Sequence, residues 1–198
     1  MAYGVNAPFG FKPSVHLSGT PIVSSDQNEY QLASGLAQSI FTGDPVVILA
    51  NGTITRATPG AANAAIGVFA GVKYTDTNGN FVNSPYWLTG TVTQNGLNAL
   101  AYVWDAQDIL YDVQADTTIG GGIAATDLGQ NANFDFTIAG TTNGGISGAT
   151  ISGLGVGANL QVKIVRFTPN PKNAPGVQNN NVLVLLNTYF WAPNSAGI

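Results

Sequence analysis

Turn signals cut this chain into pieces too short for helices. Thr42-Gly-Asp-Pro45, Asn51-Gly52, Pro59-Gly60 and Thr77-Asn-Gly-Asn80 all fall between residues 42 and 80. Proline presets φ and glycine accepts positive φ, so each signal ends the element before it. Asn-Gly is also the strongest short hairpin signal. The segments between them, 46–50, 53–57 and 66–75, are rich in β-branched residues. Glycines inside 66–75 allow bulges or close backbone approach. Further strands are predicted at 81–88, 99–104, 109–115, 134–138, 159–168 and 181–191, with Pro85 marking a sheet edge or a strand end. Residues 31–41 fit a strand or a short helix. Many short strands at about 8–12-residue spacing predict an all-β fold, a compact β-barrel or sandwich of antiparallel strands.

An extended arm precedes this body. Across residues 1–24, Pro8, Pro13 and Pro21 interrupt any periodicity. Yet Tyr3, Phe9, Phe11, Val15, Leu17 and Ile22 are apolar, more so than a disordered linker would be. The arm is expected to dock, either on a partner or on its own domain. Residues 25–198 then form a single β-rich body. Within it, 42–116 are expected as a core barrel, 117–158 as a glycine-rich insertion and 159–191 as closing strands. One turn of helix fits within 119–131, and 138–157 reads as a hairpin or loop.

Charge is scarce. Six basic and ten acidic residues make up 8% of 198, against about a quarter in an average domain. Asn (20), Thr (19) and Gly (25) fill the gap. Neutral polar groups cost less to desolvate than ions, which suits a surface that ends up against protein. Residues 136–162 carry no charge and residues 1–25 hold only Lys12, so these stretches are expected to be covered by neighbours. The acids at 105–116 are expected to face solvent. The basic residues are scattered, so no nucleic-acid partner is expected. The longest aliphatic run is 182–186, far below the roughly 20 residues of a membrane helix, so no membrane partner is expected either. The start of the chain lacks the basic and apolar regions of a signal peptide. With no cysteine, disulfides and thiolate metal sites are excluded.

Chemistry-bearing constellations are sparse. His16, the single histidine, sits in the arm, a poor place for a preorganised base. Asp105, Asp108, Asp112 and Asp116 lack the alternating carboxylate pattern of a calcium loop, so no metal is expected. Glu29 is the single glutamate, which disfavours a glycosidase pair. No nucleotide-binding or nucleophile-elbow motif is present. Neither catalysis nor a cofactor is expected. Asn51-Gly-Thr53 matches a glycosylation sequon, but the hairpin explains it better. Tyr86-Trp87 and Tyr189-Phe-Trp191 place aromatics on alternate strand faces, so one of each set is expected to point outward, as at interfaces. Candidate interface residues are therefore Tyr3, Phe9, Phe11, Val15, Leu17, Tyr86, Trp87, Tyr189 and Trp191.

The order of several segments carries a resemblance. Gly-Leu-Ala-Gln-Ser-Ile-Phe-Thr-Gly-Asp-Pro-Val-Val (35–47), Asn51-Gly-Thr-Ile54, Ile66-Gly-Val-Phe-Ala-Gly-Val72 and Ser84-Pro-Tyr-Trp-Leu-Thr-Gly-Thr91 come first. Ala101-Tyr-Val-Trp-Asp105, Leu110-Tyr-Asp-Val-Gln114, Asp127-Leu-Gly-Gln-Asn-Ala132, Leu160-Gln-Val-Lys-Ile-Val-Arg166 and 181–187 follow. Together they resemble head structural proteins of tailed bacteriophages. More loosely, Gly-Asp-Pro-Val, Asn-Gly-Thr-Ile and Ile-Gly-Val-Phe are similar to lambda-type head decoration proteins. The resemblance implies a capsid decoration, or cement, protein on the outer surface of the virion. Its implied partners are the major capsid protein and copies of itself, as a homotrimer. It implies no catalytic residues. The alternative is a head fibre, tail component or host-glycan-binding adhesin, whose exposed aromatics stack on sugar rings.

Overall fold

The computed structural model describes residues 4–60 and 64–191. Two six-stranded sheets dominate. The first runs β1 (Lys12–His16), β10 (Ile109–Gln114), β14 (Asn181–Leu186), β13 (Val162–Phe167), β11 (Asn131–Asp135) and β12 (Thr150–Gly155). The second runs β2 (Gln27–Leu32), β9 (Ala99–Trp104), β6 (Gly67–Thr75), β4 (Pro45–Ile48) and β5 (Ile54–Arg56), with β7 (Phe81–Ser84) also paired to β6. A small third sheet joins β3 (Ile40–Phe41) to β8 (Tyr86–Trp87). Every strand-to-strand ladder is antiparallel.

Local chemistry explains the elements. The Asn51-Gly52 hairpin forms as expected: Gly52 has φ 78°, and the Asn51 side-chain oxygen accepts the Thr53 N–H and O–H at 3.1 and 2.8 Å. A second hairpin closes at 76–80, where Asp76 Oδ1 accepts two backbone N–H groups, of Asn78 and Asn80. Alternation along β4 and β6 points Val47 and Val68 into one core and Val46 and Phe69 into another. The middle of the second sheet is thus buried on both faces. Gly67 lets β6 and β9 approach closely, because a Cβ there would lie 2.2 Å from the Trp104 carbonyl oxygen of β9. The ladder between β6 and β9 shifts register between Phe69 and Gly71, the bulge that glycine permits.

The expected barrel is not formed. The protein is all-β, but its sheets are open and none is closed or strongly curled. Closure requires a continuous, staggered ladder around the ring. In the second sheet the end strands β2 and β5 meet at one isolated bridge, Gln31 to Thr53. β4 and β5 are four and three residues long, too short to extend that bridge into a ladder. β10, which the sequence groups with the 42–116 strands, pairs instead with β1 and β14.

The strands that escaped the sequence reading wholly or for most of their length include β1, β12, and β2, whose residues 27–30 precede the 31–41 segment. β1 contains Pro13, tolerated because this is an edge strand and the register shifts between Pro13 and Val15. β12 lies inside the glycine-rich segment 117–158, which also supplies all of β11; both belong to the first sheet. The expected helical turn appears as a short 3-10 turn at Ala125–Asp127.

Candidate functional site

The arm is held by three devices, two of which use β10 and the third the residue just before it. β1 forms a ladder with it, from Lys12 opposite Asp112 to His16 opposite Ile109. The buried Gln114 side chain clips the chain before β1: its Oε1 accepts the Ala7 N–H at 3.0 Å and its Nε2 donates to the Val5 carbonyl at 3.0 Å. At the far end, His16 bridges two carboxylates, Asp108 through Nδ1 at 3.0 Å and Asp26 through Nε2 at 3.1 Å. The hydrogen bond to Asp108 raises the His16 pKa, against desolvation and with help from Asp26. The two ring nitrogens face opposite ways, so this bridge does not converge on a single ion. Among the described residues, no group of three or more His, Asp or Glu is placed to hold a metal.

Phe11 anchors the arm. It is fully buried in the first core, edge-on to Phe134 with centroids 5.3 Å apart, and its N–H donates to the Gly43 carbonyl at 2.8 Å. Residues 4–16 therefore lie along their own body, one of the two docking modes the sequence leaves open.

Between the arm and the body lies a cleft of about 490 Å³. Phe9, Phe11, Phe69, Trp104 and Ile146 give it apolar walls, and Lys12, Asp112 and Asn181 supply polar groups. Asp112 accepts a 2.6 Å hydrogen bond from the Thr168 hydroxyl. Burial pushes its pKa up, opposed by that hydrogen bond and by Lys12. An apolar concavity with a few convergent polar groups is the usual make-up of a small-ligand or side-chain pocket.

The expected interface residues do not form one surface. Tyr3 lies outside the described residues. Phe9 is half-buried in the cleft, Val15 is half-buried on β1, and Leu17 is exposed just past it. Trp87 is buried in the second core, edge-on to Tyr74 at 5.3 Å, and its neighbour Tyr86 is half-buried beside Phe41. Tyr189 is buried and donates to the Asp105 carbonyl; burial and the nearby Asp105 and Asp108 push its pKa up to about 12. Trp191 is half-exposed and donates to the Tyr30 hydroxyl at 3.2 Å. Phe11, Trp87 and Tyr189 are thus core side chains in this chain, with almost no surface to offer a partner.

The acids at 105–116 do not all face solvent. Asp108 does. Asp105 instead accepts the Tyr30 hydroxyl at 2.5 Å and the Asn28 amide at 2.8 Å, tying β2 to the end of β9. Asp116 is buried; burial pushes its pKa up, but hydrogen bonds from Thr118 and Thr117 outweigh it and hold the carboxyl below its usual range. These carboxylates join loops and strands rather than form a cage. Sequence reasoning missed the cleft because its walls come from the arm, the 42–43 turn, β6, β10 and Ile146. The pairing of Lys12 with Asp112 depends on register across nearly a hundred residues, for which the sequence holds no local signal.

Comparison with protein-family models, with curated proteins and with solved structures found no match. The resemblance to phage head proteins therefore stands on the quoted segments alone.

Proposed function

We propose that the chain is a structural virion protein that binds the outside of a capsid shell and braces it, working through interface area rather than chemistry. The observation that carries this reading is the position of exposed apolar side chains in uncharged segments. Val156 is 89% exposed and Ile146 is 44% exposed, both inside 136–162, which holds no charged residue. A chain that lives alone normally surrounds such side chains with charge. Many weak apolar contacts repeated over a symmetric lattice sum to tight attachment. The folded arm refines the mechanism: the body and arm dock as one unit. The test is to add the purified chain to shells lacking it. A rise in the temperature or denaturant concentration at which shells open, with saturation at a fixed ratio to the major shell protein, is the expected result. No binding at any ratio would refute the reading.

A second reading, a glycan-binding virion component, rests on Trp191. Its half-exposed ring donates to the Tyr30 hydroxyl, which is itself bonded to Asp105, and Asp105 in turn to Asn28, so a stacking face leads into a chain of polar groups. Host-surface glycan binding that Trp191→Ala abolishes, without shell binding, would favour it.

A further inference from the structure

Among the described residues, the outer edge of β7 is bare. β7 pairs with β6 through Val72–Ser84, Lys73–Asn83, Tyr74–Val82 and Thr75–Phe81. No strand among the described residues pairs with its other side. The remaining ends of the two large sheets are each touched by an isolated bridge: β1 by Pro21, β12 by Ala115, and β2 and β5 through Gln31 and Thr53. An open edge displays unpaired N–H and C=O groups and is a template for another strand.

Natural proteins blunt such edges with charge or with proline. β7 has neither within Phe81-Val-Asn-Ser84; Pro85 follows its last residue. Residues 77–104 carry no charged side chain at all. Phe81 on this edge is 71% exposed, and Leu97, across β6 from it, is 66% exposed. The two line one shallow cavity of about 230 Å³ with Tyr74 and Leu100. Lys73, which also lines it, is held by Glu29. An exposed phenylalanine on an uncharged, unpaired edge is what a strand-addition site presents.

We propose that β7 is a self-association strand: a second copy of this chain lays its own β7 antiparallel against the open edge, so that one sheet runs through both. The proposal rests on the reading above for its biological purpose and names the surface through which copies meet. Charge selects the occupant. The chain carries a net charge of −4, so two copies repel wherever charged faces meet. β7 itself carries no charge, and Lys73 beside it is neutralised by Glu29, so like-charged copies approach along this strand without that penalty. Antiparallel pairing is also self-complementary, as a two-fold interface must be. Centred on Asn83, it sets the two Asn83 residues opposite each other and Val82 of each copy across from Ser84 of the other. This makes a dimer, unlike the trimer that the resemblance implies.

The test is sedimentation velocity on the free full-length chain, with no shells present, so its outcome is separate from that of shell binding. The expected species has twice the 20.4 kDa chain mass. Phe81→Lys and Asn83→Lys alter exposed positions, and each is expected to weaken association about tenfold or more while thermal unfolding stays unchanged. Mixing Asn83→Lys with Asn83→Asp is expected to restore pairing as a heterodimer. A monomer throughout, an oligomer indifferent to both lysines, or folded Lys and Asp variants that do not pair when mixed would overturn the proposal.

Discussion

Replacing Phe11 by alanine tests whether the arm is part of the core. The ring is fully buried and meets Phe134 edge-on at 5.3 Å. Burying a phenylalanine contributes about 2–3 kcal/mol, and an edge contact adds about 1 kcal/mol. With the residual cavity, the loss comes to about 4 kcal/mol, within the usual range for such substitutions. With a urea slope of about 2 kcal/mol/M, the unfolding midpoint should fall by about 2 M. Phe9→Ala serves as the control. Phe9 is half-buried and lines the cleft without entering the core, so its loss should cost about 1 kcal/mol or less. Paired urea titrations, followed by tryptophan fluorescence and by circular dichroism, measure both. Should Phe11→Ala shift the midpoint no further than Phe9→Ala, the arm is a removable appendage and the reasoning fails.

Two further outcomes follow from the same contacts. The His16 pKa is raised in the folded state, so its contribution to stability is fully present below the unfolded value of about 6.5 and is lost as pH rises through the higher folded value. The thermal midpoint should therefore fall on going from about pH 6 to about pH 8, and His16→Gln should flatten that part of the profile; an unchanged profile would dismiss the Asp26–His16–Asp108 bridge as a stabilising contact. Gly67→Ala places a methyl against the Trp104 carbonyl and should cost about 2 kcal/mol or more by urea titration, whereas Gly52→Ala, with nothing near its Cβ, should cost about 1 kcal/mol through its positive φ alone.

Local signals carried much of the strand pattern. Asn51-Gly52 and Thr77-Asn-Gly-Asn80 fix hairpins through nearest-neighbour chemistry, and these and the apolar strand at 99–104 appear close to where the sequence puts them. What the sequence hid is set at long range. Whether β2 and β5 close a ring depends on how far β5 extends, and only three residues pair before the chain leaves. β1 was masked by Pro13, whose local meaning is reversed at a sheet edge. β12 was masked by Gly153 and Gly155, although Ile151 is buried. Among the candidate site residues, Trp87 is inside and Tyr86 half-covered, while Tyr189 and Trp191 lie past the end of β14, where strand alternation does not apply. These aromatics do not signal which face meets a partner. The bare edge at β7 was legible only in part: the uncharged run 77–104 is in the sequence, but that no strand covers β7 is a fact of topology.

The central claim is attachment to a repeating shell, and copy number tests it most directly. Particles purified from cells that carry the gene can be counted by quantitative mass spectrometry against the major shell protein. The account predicts a fixed ratio that matches the repeat of an icosahedral lattice, far more than a fibre or tail would need. A handful of copies per particle, or none, would contradict it.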